Sequence, residues 1–72
     1  MENIKTITLR VNGKSKTLTS QISLPRFLET MHFNPYLVVV EYNGEILHRE
    51  YWVNTLLKTG DNLEIVTIVG GG

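Results

Sequence analysis

Two Asn-Gly pairs, Asn12-Gly13 and Asn43-Gly44, each stand directly behind a β-rich run in this 72-residue chain. Both residues of such a pair tolerate positive φ, which a tight type I′ turn demands at its two central positions, so each pair predicts a β-hairpin. Ile7-Thr8-Leu9-Arg10-Val11 alternates with the period of a half-buried strand, and Lys16-Thr17-Leu18 reads as its return with Leu18 turned inward. Val38 to Tyr42 and the short Glu45-Ile46-Leu47 make the second hairpin.

Between the hairpins lies one helical signal. Ser23 is placed as an N-cap, Pro25 sits in the first turn where its missing N–H costs nothing, and Leu24, Phe27, Leu28 and Met31 recur on one face. Arg26, Glu29 and Thr30 point away. Asn34-Pro35 predicts the end of the segment, with His32 in its last turn. His48 to Lys58 lacks sustained periodicity and reads as a loop with a turn or two of helix, pinned to the core by Trp52, Leu56 and Leu57. Gly60-Asp61 marks a turn, and Asn62 to Val69 is the last strand.

This order predicts an α+β fold of the β-grasp (ubiquitin-like) type, with one helix packed on a mixed sheet of four to five strands. Its first and last strands lie parallel at the sheet centre. Leu24, Phe27, Leu28 and Met31 are expected against Ile7, Leu9, Val40, Leu63 and Ile65. The last strand is apolar on both alternations, Leu63 and Ile65 on one side and Val66 and Ile68 on the other. A single helix covers one face only, so Val66 and Ile68 are expected to be partly exposed and to form a partner-binding surface. The competing reading is a bulge that turns one of them inward.

Composition narrows the function. A chain of this length buries roughly 60% of its unfolded surface and holds a net stability of roughly 4–11 kcal/mol, which leaves no room for a large cleft. It has no cysteine, which removes disulfides, thiolate metal sites and a thiol nucleophile together and fits a reducing cytoplasm. Seven Lys and Arg balance seven Asp and Glu, with the signs interspersed, so nucleic acid and anionic membranes are not expected as partners. No apolar run approaches the roughly 20 residues of a membrane span, and Met1-Glu2-Asn3 opens no targeting segment. His32, His48 and the serines form no recognisable catalytic or metal-binding spacing. Tyr36, Tyr42, Tyr51 and Trp52 leave a base-stacking surface as a rival, a weak one without interleaved basic residues.

The last strand passes straight into Gly70, Gly71 and Gly72 and a free α-carboxylate. Glycine has no Cβ, so such a tail can thread a channel too narrow for other residues. The expected division is a body over 1–69 and a tail over 70–72. A frayed end is the alternative. An α-carboxylate with a pKa near ~3.5 is ionised at neutral pH and poorly electrophilic, so chemistry there requires prior activation.

Three stretches, Val11-Asn12-Gly13-Lys14, Val40 through Arg49, and Gly60-Asp61-Asn62-Leu63-Glu64-Ile65-Val66 running into the glycines, resemble the ThiS family of ubiquitin-like sulfur carriers in thiamine biosynthesis. The resemblance implies that the chain is a carrier, not an enzyme, and that the Gly72 carboxylate is adenylated and converted to a thiocarboxylate, with Gly70 and Gly71 threading the tail. It implies as partners an adenylyltransferase similar to ubiquitin-activating enzymes, a cysteine-derived sulfur donor and thiazole synthase. ATP and Mg²⁺ would belong to the activating enzyme, leaving no cofactor or metal on this chain. Two features depart from the family pattern: a third terminal glycine, Gly70, and the bulky Tyr51-Trp52. The molybdopterin synthase small subunit, a protein-conjugating modifier and a plain β-grasp binding module are the alternatives.

Overall fold

Both Asn-Gly pairs turn as their composition requires. Asn12 and Asn43 each adopt φ 52°, followed by Gly13 at 83° and Gly44 at 92°. In the computed structural model, which describes residues 6–68, they connect β1 (Ile7–Val11) to β2 (Lys14–Leu18) and β3 (Val38–Tyr42) to β4 (Glu45–Ile46). A helix, α1 (Leu24–Thr30), lies between the hairpins, 3-10 segments span Pro35–Leu37 and Arg49–Asn54, and β5 (Asn62–Thr67) follows. The five strands are ordered β2-β1-β5-β3-β4, with β1 and β5 parallel and the other pairs antiparallel. This is the expected β-grasp arrangement.

The turn asparagines also reach sideways to β5. Asn12 Oδ1 accepts from the Ile65 N–H at 2.7 Å while its Nδ2 donates to the Ile65 carbonyl at 3.2 Å. Asn43 Oδ1 accepts from the Asn62 N–H at 2.7 Å, and the Asn43 N–H donates to the Asn62 carbonyl at 2.8 Å. Each hairpin is thereby fastened at its tip to the strand that separates the two. Asn serves here better than Gly, because it tolerates the left-handed backbone and supplies both a donor and an acceptor.

Ser23 caps α1, its Oγ accepting from the Arg26 N–H at 3.4 Å. The helix stops at Thr30, earlier than the Asn34-Pro35 signal suggests. His32 takes φ 65°, Phe33 N–H donates to the Leu28 carbonyl and His32 N–H to the Glu29 carbonyl. These are the two bonds of a Schellman ending, which needs a left-handed residue just past the cap. His32 is therefore outside the last helical turn. Asn34-Pro35 begins the first 3-10 segment, with Asn34 Oδ1 accepting from the Tyr36 N–H.

Leu24, Phe27 and Leu28 are fully buried together with Leu9, Val40, Leu57 and Leu63, and Ile7 and Ile65 close the same core. Met31 is only half-buried at the margin, because α1 ends before it. Trp52 is buried, its indole N–H bonded to the Leu47 carbonyl at 2.8 Å, so the bulky Tyr51-Trp52 step is accommodated by sending Trp52 in and Tyr51 out. Leu56 is 54% exposed, against expectation. Thr55 to Leu57 runs extended beside Ile22 to Leu24, and period-two alternation that buries Leu57 must turn Leu56 outward.

Candidate functional site

The sheet face opposite α1 carries no covering element among the described residues. Directly opposed residues of an antiparallel pair share a face, so the β3–β5 register places Val39 beside Val66 and Glu41 beside Glu64 on this side. Glu41 is likewise opposite Ile46 of β4. Beyond the last ladder pair, the Ile68 N–H donates to the Leu37 carbonyl. Val66 is 59% and Ile68 47% exposed, as the two-sided apolarity of the strand predicts. The register runs unbroken from Val38↔Thr67 to Tyr42↔Leu63, so no bulge turns either inward. Leu37 and Ile46 are exposed alongside them, and Val39 is half-buried.

These three neighbours were not singled out from the sequence. The signal for Val39 was present: Val38-Val39-Val40 is apolar on both alternations, and burying its ends must turn the middle residue outward. The partners of β5 across the sheet depend on register, which a single strand pattern does not specify.

A groove beside β3 is lined by Val38, Val39, Val40, Ile46, Leu47, Trp52 and Ile68 together with His48 and Arg49. Arg49 lies 5.5 Å from the Tyr36 ring centroid and 5.1 Å from that of Trp52, and donates from Nη2 to the Pro35 carbonyl at 2.6 Å. The stacking comes from bringing Tyr36 across to Trp52, which the loop reading of His48 to Lys58 did not anticipate. Val69 and the predicted reactive tail, Gly70, Gly71 and Gly72, lie outside the described residues, as does the body–tail boundary between 69 and 70.

At the far end of β5, Asp61 is 2% exposed and its carboxylate accepts from the Tyr42 hydroxyl, the Lys58 N–H, Asn43 Nδ2 and Lys58 Nζ, at 2.8, 2.9, 3.2 and 3.0 Å. Burial alone would raise its pKa, but these donors together hold it below the ordinary carboxylate range. The bonds to Tyr42 and then Asp61 push the Lys58 ammonium above its usual value. All four partners are internal, so the cluster fastens the 58–61 turn to the second hairpin. Among the described residues no three His, Cys, Asp or Glu gather as a metal site, and no helix is long and apolar enough to cross a membrane. Of the four aromatics that might stack on bases, Trp52 is buried and Tyr42 is tied to Asp61.

A parallel central pair, with one helix on one face and no covering element on the other among the described residues, defines a ubiquitin-like β-grasp protein. The model of the ThiS family matches residues 9–72, through the three glycines, and the chain belongs to this family of ubiquitin-like sulfur carriers. The chain is similar to an uncharacterized protein, ycf40, of Trieres chinensis, with 40% identity over 65 residues that cover 90% of this chain and 89% of that one. It superposes on the crystal structure of the thiamine biosynthesis protein ThiS from Geobacter metallireducens with a TM-score of 0.80 and 35% identity, covering 92% of this chain and 100% of the other. A thiazole synthase of Paramagnetospirillum magneticum (strain ATCC 700264 / AMB-1) is 30% identical over 64 residues, covering 89% of this chain and 20% of the enzyme. The likeness there occupies one segment of a much longer protein.

Proposed function

We propose that this chain carries sulfur for thiazole formation in thiamine biosynthesis, as a thiocarboxylate on the Gly72 carboxyl group. The supporting observation is that β5, the strand leading to the glycines, is paired with β3 along its length and with β1 at its start, while Val66 and, just past its end, Ile68 stay exposed. An exposed apolar strip on the strand that precedes the glycines in sequence suits a partner that must hold the body while it works on the C-terminal carboxylate.

In the proposed chemistry a carboxylate oxygen of Gly72 attacks the α-phosphorus of ATP on the adenylyltransferase and pyrophosphate leaves. Hydrosulfide released from a cysteine-derived donor then attacks the acyl carbon, the acyl–oxygen bond to AMP breaks, AMP departs with the electron pair, and loss of the sulfur-bound proton leaves the thiocarboxylate. Activation is needed because an ionised carboxylate resists nucleophilic displacement until a phosphoryl group makes its oxygen a leaving group. Thiazole synthase takes the sulfur, and ATP and Mg²⁺ are held by the activating enzyme in the cytoplasm. The segment similar to this chain within a thiazole synthase supports the thiazole branch over a molybdenum-cofactor role.

The test is intact mass spectrometry of the carrier incubated with ATP, the adenylyltransferase and the sulfur source. An oxygen-to-sulfur increment localised to Gly72 is expected. An unmodified mass, or sulfur elsewhere in the chain, overturns the reading.

A further inference from the structure

Arg49 is an exposed cation held in one orientation. Two aromatic rings flank its guanidinium, the Pro35 carbonyl takes one of its N–H groups, and Trp52 is itself fixed by the Leu47 carbonyl. Among the described residues it forms no ion pair, although Glu50 follows it in sequence. A guanidinium offers five donors in a planar fork that matches a carboxylate, and a fork already immobilised loses little further entropy on pairing. Its place matters as much as its chemistry. Arg49 lines the same groove as Ile68, so a partner laid over Ile68 comes within reach of it.

We propose that Arg49 receives a carboxylate of the thiazole synthase, next to an apolar side chain of that enzyme that fills the groove beside Ile68. This rests on the docking role given to the open face. The occupant is a single acidic side chain and not a polyanion, because Glu41 and Glu64 stand together on the same face and would repel an extended negative surface. An immobilised cation beyond one end of the apolar strip, with Glu41, Glu64 and Arg10 farther along the face, also fixes which way round the partner sits. Charge placement of this kind sets register and discriminates against wrong partners more than it adds affinity.

The competing role is an internal staple that joins the two 3-10 segments. Binding of the full-length carrier to purified thiazole synthase from the same organism separates the two, measured by calorimetry across a salt series. Arg49→Gln is expected to weaken binding about tenfold, as for a lost hydrogen bond to a charged group, and to flatten its salt dependence. A staple would lower the melting temperature yet leave the salt dependence of binding as in the parent, and that result overturns the proposal. A second arm does not depend on how well Arg49→Gln folds. Exposed Asp and Glu residues of the enzyme are changed one at a time to their amides, and one of them should reproduce the loss without adding to it in the double variant. If no carboxylate couples to Arg49, the proposal falls. Val66→Asp is the control: if it binds like the parent, the docking role itself fails, whereas weakened Val66→Asp beside unchanged Arg49→Gln removes Arg49 alone.

Discussion

Asn12 and Ile65, 53 residues apart, are joined through the Asn12 carboxamide, which donates to the Ile65 carbonyl and accepts from its N–H. The side chain thereby adds a rung to the β1–β5 ladder, where the strand pairing itself supplies only Arg10↔Asn62 and Val11↔Leu63. Asn12→Gly keeps the turn but leaves the Ile65 N–H without its partner, at a cost of about 1–3 kcal/mol. Urea unfolding measures the loss, and hydrogen exchange should show it first at the Ile65 amide. An unchanged midpoint would mean that water replaces the carboxamide at no cost.

Phe27 is fully buried at the centre of the helix–sheet contact. Phe27→Ala should cost roughly 3–5 kcal/mol through lost burial and the cavity left behind, a large share of the stability of a domain this small. Thermal melting that matches the parent would refute the core assignment.

Asp61 supplies the pH dependence. Its folded pKa lies below the ordinary carboxylate value, so its contribution is full above the unfolded value of about 4 and is lost as pH falls through the lower, folded one. Asp61→Asn replaces one accepting oxygen with an NH₂ that must face donors on one side or the other, and should cost about 1–3 kcal/mol at neutral pH. The gap between parent and variant should shrink as the medium is acidified below about pH 4, measured by denaturant unfolding at several pH values. A gap independent of pH would show that the charge on Asp61 contributes nothing.

His32 occupies the left-handed position that ends α1, where a Cβ is unfavourable. His32→Gly should therefore stabilise the fold by about 1 kcal/mol, offset in part by the greater freedom of glycine in the unfolded chain. A fall in stability would reveal a contact of the imidazole that outweighs its backbone strain.

Removing Gly71 and Gly72 should leave the unfolding midpoint unchanged, because no apolar side chain is lost, and abolish thiocarboxylate formation in the reconstituted mixture. Gly71→Val should slow it, since a branched side chain obstructs a narrow channel. Sulfur transfer at the parental rate by the shortened chain would require an internal site.

The sheet topology was legible because two turn signals, one amphipathic stretch and a doubly apolar last strand agree on a single layer arrangement. Val66 and Ile68 were legible for the same reason: once Leu63 and Ile65 face the helix, alternation leaves them outside. The features that were not legible depend on residues far apart in sequence. Nothing near Arg49 in the chain announces Tyr36, and the Gly60-Asp61 turn signal does not reveal that Tyr42, Asn43 and Lys58 converge on Asp61. The early stop of α1 was hidden because histidine is an uncommon choice for the left-handed position that usually marks a helix end with glycine.

The place of β5 between β1 and β3 has a consequence in the order of synthesis. Each hairpin can close from neighbouring residues as it emerges, but within the sheet the two are joined through residues 62–67, so its middle stays vacant until that stretch has been made. A product broken off before Asn62 lacks Val66, Ile68 and the strand that would hold its halves together. The glycines follow that late strand in sequence, so a partner that gripped Val66 and Ile68, as proposed above, would select carriers whose sheet is complete.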